Sequence, residues 1–435
     1  MWKKLGNPVP IDKSQVVLGL YVWLDLTWDK HPFFASRLMV ATPKDLAIIQ
    51  SLDLDGKLYY YPERSTVQPG AVQLAEPSSA EPDAQALVQA QERAAAQAAI
   101  VQEVRALEQA KKEKQMALRE AAARADQAWG NAARATKQAL NDLPRSPKTA
   151  GRQLQLLSNE TAALVSKGQE VLLHLLGDQK EQGPQFHALN CMTLSMLIGK
   201  KAGMPERALA DLALAALAHD AGEAQVPQHI IRSAQRKKHE EDFYRQHVEY
   251  GVRCATDSGA FTPEAIAMIA DHHENMDGSG WPKGKKGADL SMGARVLALV
   301  DRYDTLCSPE SGKSIPLMPA EALATLYRNE QTRIDGALLG LMIKLLGVYP
   351  PGTVVQLSDG TLALVIAPGA NSLKPTVLIY SPEMSKDEAP TLELANEPEL
   401  KIAEAIRPST LPQDVFQWLS PQQRLSYFFS VEDRR

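Results

Sequence analysis

Residues 209–220 read LADLALAALAHD. At helical period this stretch is apolar almost all round, so the helix that starts after Pro205 has no face suited to water and must be buried. It ends on an imidazole and a carboxylate, His219 and Asp220, and burying such groups without partners is costly. The chain is thereby committed to a helical core built around a polar pair. Neighbouring segments repeat the arrangement. His187, Cys191, Leu194 and Ile198 fall on one helix face at i, i+4, i+7 and i+11. Thr262 is a candidate N-cap with Pro263 at the first position of a further helix, whose end carries His272-His273. These patterns predict a mainly α fold, with an all-helical domain over residues 151–345.

The flanks read differently. Residues 1–77 form a small β-rich domain, from period-two bursts such as QVVLGLYVWLDL and LYYYPER broken by Gly, Pro and Asp-Gly signals, with a short helix opened by Thr42 and Pro43. Residues 78–150 are rich in Ala, Gln, Glu, Lys and Arg, with no proline between Pro82 and Pro144, which predicts a helical spacer. A heptad seam through Ile100, Val104, Leu107, Lys111, Lys114 and Leu118 carries lysine at two positions, so a solvated helix is favoured over a homodimer formed through the spacer. A second helical stretch from Arg152 to Leu176 leads into the helical domain. Beyond Tyr349-Pro350-Pro351 the period changes to two, and Asp359-Gly360 marks a hairpin, so residues 346–435 read as a β appendage and tail.

Charge and cysteine usage exclude several classes. A net charge of -5 offers no broad basic surface for duplex nucleic acid. Three cysteines without CxxC spacing suggest neither a disulfide framework nor a zinc ribbon. No apolar run is long enough to span a bilayer, so no membrane association and a cytoplasmic location are expected. His31 reads as a packed histidine, His174 stands outside the motifs, and His229 and His239 lie in a polar stretch that suits solvated side chains.

The remaining histidines, taken with Asp220 and Asp301, are harder to explain as packing. Imidazole nitrogen with carboxylate oxygen suits Fe, Mn or Zn, and Asp220 can bridge two ions. Two adjacent cations acidify water and offset charge on phosphoryl oxygens, which suits phosphodiester cleavage.

The series His187, HDAGEAQVP (219–227), HVEYG (247–251), HHENMDGSGWP (272–282) and DRYD (301–304) resembles, in order and spacing, the HD-GYP phosphodiesterases, a branch of the HD superfamily that cleaves cyclic di-GMP. WLDLTWDKHPFF (23–34) resembles a small domain of unknown function that often precedes them. The resemblance implies an HD-type domain holding two divalent cations, Fe or Mn, through His187, His219, Asp220, His247, His272, His273 and Asp301, with Asp220 bridging. It implies cyclic di-GMP as the ligand and linear pGpG, GMP or both as product. Catalytic duties fall to Asp220, Glu223 and Asp277. Gly278, Gly280, Trp281, Pro282, Asp304 and Lys313 would line the substrate cleft.

The chain departs from the family pattern at four places. Gly183 replaces the glutamate of trinuclear members, which leaves two cations as the expectation. Glu223 replaces the lysine of the HD-x-G-K motif, where a carboxylate repels phosphate or itself reaches a cation. Glu310 stands at an arginine position, and Trp281 replaces the signature tyrosine. The alternative reading is a domain that binds cyclic di-GMP as a receptor or scaffold with little turnover.

Overall fold

The protein is described from a computed structural model over residues 7–26, 31, 33, 37–70, 129–167, 170–175, 183–308, 316–382, 385–386, 389–397, 400–419 and 427–432, with isolated positions between 95 and 127. The chain divides into two compact units, Met1–Glu120 and Ala121–Arg435. Lys313 and Glu310 lie outside the described residues, as do the heptad positions Ile100 to Leu118 considered for the spacer.

In the first unit, β1 (Val9–Pro10), β2 (Tyr21–Leu24), β3 (Arg37–Met39) and β4 (Leu58–Tyr60) form an antiparallel sheet in the order β1-β4-β2-β3. Helix α1 (Pro43–Ser51) starts as expected, because the Thr42 hydroxyl accepts from the Asp45 amide while the Asp45 carboxylate accepts from the Thr42 amide. Leu20, Val22, Leu24, Ile49 and Leu58 form its core.

The second unit is built on helices. Among them are α2 (Pro147–Lys167), α3 (Pro184–Lys201), α4 (Glu206–Ala218), α5 (Gln228–Ile231), α6 (Lys238–Arg245), α7 (His247–Ser258), α8 (Pro263–Asp271), α9 (Met292–Cys307), α10 (Pro319–Asn329) and α11 (Gly336–Leu346). As its composition requires, α4 is buried from Leu209 onward except at Ala210, and it packs on α2, α3 and α8. Each fully buried leucine contributes roughly 1.5–3 kcal/mol. The Thr262 hydroxyl caps α8 by accepting from the Ala265 amide, with Pro263 at the first position.

Two expectations change here. The helical run over 129–142 was expected in a solvated spacer, yet Trp129, Ala133, Ala139 and Leu143 join the helical core, and Trp129 stacks on Phe186 at 4.9 Å. The stretch to Leu176 is not one helix either: α2 ends at Lys167, and β5 (Glu170–Leu175) pairs antiparallel with a strand near the far end of the chain, Tyr427–Glu432. Local periodicity carries no trace of a partner so distant in sequence.

Beyond α11, β6 (Val354–Leu357), β7 (Leu362–Ala367), β8 (Thr376–Ile379), β9 (Thr391–Glu393) and β10 (Ile402–Ile406) form a sheet in the order β10-β6-β7-β8-β9. The β6–β7 hairpin turns at Asp359-Gly360, with Gly360 at φ 91°. Among the described residues, no helix is long and apolar enough to cross a membrane.

Candidate metal centre

Four helix segments bring histidines to one point, and a fifth brings an aspartate. His187 lies in the first turn of α3, His219 follows α4, His247 opens α7, and His272 and His273 follow α8, while Asp301 projects from α9. Three of these rings are fixed in the same way: Nδ1 of His219, His247 and His272 faces the carbonyl three residues earlier, at 2.8 Å from Ala216, 2.8 Å from Tyr244 and 2.7 Å from Ile269. Carbonyls in the last turn of a helix lack intrahelical partners, so a histidine placed there donates Nδ1–H and turns Nε2 inward.

His187 is held differently. Its Nδ1 lies 2.7 Å from Oδ2 of Asp304, whose other oxygen accepts from Asn190 at 2.8 Å. Asp304 is wholly buried. It therefore orients an imidazole and cannot face a ligand in a cleft, which corrects its expected place among the substrate contacts.

Asp220 divides the inward nitrogens into two sets. Its Oδ2 lies 3.2 Å from Nε2 of His219 and 3.7 Å from Nε2 of His187, while Oδ1 lies 3.5 Å from Nε2 of both His247 and His272. Asp301 Oδ1 joins the first set at 3.2 Å from His187, and Oδ2 lies 3.9 Å from Nδ1 of His273. Two four-residue groups result, His187–His219–Asp220–Asp301 and Asp220–His247–His272–His273, each with potential ligand atoms within 4.8 Å of one another.

The donor set suits cations. Nε2 of His187 and Nε2 of His219 approach to 3.2 Å, as do those of His247 and His273. With Nδ1 of His247 already donating to the Tyr244 carbonyl and burial keeping the ring neutral, its Nε2 turns a bare lone pair toward His273, which a cation relieves. Asp220 Oδ1 and His272 Nε2 are buried and without a hydrogen bond. Orphaned polar atoms of this kind, confronting each other inside a cluster of ligands, fit a site that holds metal.

Electrostatics separate the two groups in the metal-free protein. Burial disfavours the His187 imidazolium, but Asp301 and Asp304 outweigh it and hold the ring well above the ordinary histidine value. Burial likewise opposes charge on His219, where Asp220 prevails. On the other side burial wins, lowering His247 to about 4 and, aided by His272, holding His273 well below its ordinary value. Both Asp220 and Asp301 are held low against burial, by His219 and by His187 respectively. Cys191 lies 3.7 Å from Nε2 of His187, but burial pushes its thiol up to about 12, so it stays neutral there.

Close backbone approaches set this geometry. A Cβ on Gly222 would fall 1.9 Å from the His247 carbonyl, so only glycine lets the turn after Asp220 lie against α7. A Cβ on Gly280 would fall 2.4 Å from both the Asn275 amide nitrogen and Glu274 Cα. The loop then delivers Trp281, joined to Pro282 by a cis peptide, against His273 with ring centroids 4.2 Å apart and against His247 at 5.5 Å.

Asp277 and Glu223 lie outside both four-residue groups. Asp277 accepts from the Ser279 amide and from the Thr332 hydroxyl, which holds the loop that carries Gly278 to Pro282. Glu223 belongs to neither four-residue group and accepts from the Tyr244 hydroxyl at 2.9 Å, which ties it down beside the centre. Gly278, at φ 80°, and Pro282 belong to the same loop as Trp281. Sequence reasoning missed Asn190 and Tyr244. A polar residue three positions after His187 on a buried helix was the available signal for Asn190, whereas Tyr244 gave none.

Comparison with known proteins follows the same lines. Residues 154–338 match the HD domain family, and residues 9–153 match a domain of unknown function, DUF3391. A cyclic di-GMP phosphodiesterase of Pseudomonas aeruginosa is 27% identical over 237 residues, covering 54% of this chain and 57% of that protein. A cyclic di-GMP phosphodiesterase of Thermotoga maritima is 29% identical over 139 residues, covering 32% and 38%. The chain thus spans about half or less of these relatives' own length. Among solved structures, an HDG"Y"P protein from Bdellovibrio bacteriovorus aligns with TM-score 0.39 at 14% identity, covering 77% of this chain and 97% of that one. With an HD domain behind a DUF3391 domain, and the ordered histidine and aspartate motifs in place, the chain belongs to the HD-GYP family.

Proposed function

We propose that this chain is a metal-dependent phosphodiesterase that hydrolyses cyclic di-GMP to linear pGpG, GMP or both. The observation that carries this reading is Asp220, whose two oxygens face separate sets of histidine nitrogens. His187, His219, Asp220 and Asp301 would hold one divalent cation, and Asp220, His247, His272 and His273 a second, with iron or manganese suited to this nitrogen and oxygen set. When bound, such a pair supplies Lewis acidity toward a phosphoryl oxygen and acidifies water.

The protein's own part is to position and to neutralise. Carbonyls aim His219, His247 and His272 and Asp304 aims His187, so these four rings need not reorient when charge develops on the substrate. Asp220 and Asp301 bring negative charge that would repel a phosphodiester unless cations offset it, which makes activity dependent on metal. Gly280 allows the loop to lie close enough to seat Trp281 over His273 and His247, shielding that side of the centre.

One observation favours a second reading, a cyclic di-GMP receptor with little turnover: Glu223 places a carboxylate beside the centre where phosphate must approach. Elemental analysis of the purified chain, combined with chromatography of cyclic di-GMP products, separates the readings. Two bound cations with linear product support the enzyme. Tight cyclic di-GMP binding without product supports the receptor, and absence of bound metal sinks the enzyme.

A further inference from the structure

A cyclic dinucleotide carries two phosphodiesters, and the centre accounts for one. Several cations on this side of the helical unit are already committed. Arg236 spends Nε and Nη2 on the carbonyls of Ile230 and Ile231 and directs Nη1 at Glu241. Lys285 is paired with Asp271 at 2.6 Å, and Arg302 holds Asn275 and Glu330.

Arg245 differs. Its side chain is 47% exposed, and its ion pair with Glu241 uses Nε, at 3.2 Å. Among the described residues, its two terminal nitrogens make no hydrogen bond. Its guanidinium carbon lies 5.4 Å from the centroid of the Trp281 ring, and that ring packs directly on His273 and His247. One aromatic ring therefore links Arg245 to two residues of the Asp220–His247–His272–His273 group, and the guanidinium can lie no further from His273 than these two contacts in series. A fork of N–H donors, steadied at one end by Glu241 and over one ring by Trp281, suits the paired oxygens of a phosphodiester.

We propose that Arg245 holds the second phosphodiester of the cyclic dinucleotide, the one not being cleaved, at the rim of the centre. The inference rests on the function proposed above and names its substrate contact. Glu223 cannot serve this purpose, being acidic and tied to Tyr244.

The test compares cyclic di-GMP with bis(p-nitrophenyl) phosphate, which carries a single phosphodiester and reports on the centre alone. The full chain, loaded with manganese, is assayed as wild type, Arg245→Ala and Arg245→Lys. Losing a charge-assisted contact should raise the cyclic di-GMP KM about ten-fold in Arg245→Ala, with kcat and bis(p-nitrophenyl) phosphate turnover within about two-fold of wild type. Arg245→Lys keeps charge without the fork and should recover part of the loss. An unchanged cyclic di-GMP KM, an equal rise for both substrates, or a fall in metal content in Arg245→Ala would each overturn the proposal. If wild type cleaves bis(p-nitrophenyl) phosphate but neither binds nor cleaves cyclic di-GMP, the substrate assignment fails and this inference with it. Normal cyclic di-GMP turnover with an indifferent Arg245 overturns the inference alone.

Discussion

Asp304 Oδ2 lies 2.7 Å from Nδ1 of His187, and the carboxylate that makes this contact has no exposed surface. It fixes which nitrogen of His187 points at Asp220 and Asp301. Asp304→Ala would remove the hydrogen bond that Asn190 donates to it and the contact that holds His187 Nδ1. We expect a loss of stability of about 1–3 kcal/mol and a 10- to 100-fold weaker hold on the cation nearest His187. Denaturant unfolding and metal titration check the two effects separately, and retention of full affinity would show that Asp304 does not orient the ring.

Gly222 provides a steric test. In Gly222→Ala the added Cβ meets the His247 carbonyl at 1.9 Å, so the HD turn and α7 must separate. Forced repacking of this kind costs about 1–3 kcal/mol. Because Asp220 and His247 move apart with it, metal content should fall more than the loss of stability explains, measured on protein that remains folded by circular dichroism.

Glu223→Gln keeps an acceptor for the Tyr244 hydroxyl while removing charge. Substrate affinity should then improve by roughly two- to ten-fold, as expected for relief of a partly screened repulsion, with metal content unchanged. A drop in metal content on this substitution would instead make Glu223 a ligand, against its absence from both four-residue groups.

The pH dependence of metal binding should differ between the two groups. In the metal-free protein His187 and His219 are held above the ordinary histidine value by their carboxylates against burial, whereas burial takes His247 from 6.5 to about 4. Metal entering the first group must expel protons and should bind more tightly as pH rises, whereas His247 itself, held at about 4 by burial, should release no proton on binding until the solution approaches that value. Stability of the metal-free protein follows the same shifts with opposite signs. The raised pair contributes stability that is fully present below the unfolded histidine value and is lost as pH rises through the folded one. The lowered His247 costs stability as pH falls from 6.5 toward about 4. Calorimetry in buffers of different ionisation enthalpy reads the protons released, and none released at neutral pH would contradict the assignment.

The buried α4, its terminal His219 and Asp220, the Thr262 cap and the Asp359-Gly360 hairpin could all be read from periodicity and capping chemistry, because each is a local rule. The strand Glu170–Leu175 could not, since its partner near the end of the chain is invisible to any local window. Nor could the burial of Trp129, which depends on Phe186 in another helix. At the site, motif spacing brought the histidines and aspartates together but misplaced Asp304, and it gave no partner for Asp277 or Glu223. Whether a carboxylate faces ligand, loop or imidazole is decided by its partners, here His187, Ser279 and Tyr244, and those are tertiary facts.

On the function proposed here, Asp220 would serve two cation sites through its two oxygens. Its most direct test is the number of divalent cations per chain, by elemental analysis, in the wild type and in Asp220→Ala. About two are expected in the wild type, as in a two-metal site, falling below one in the variant because both groups lose a shared ligand. A wild type without bound metal, or a variant that keeps both cations, would contradict it.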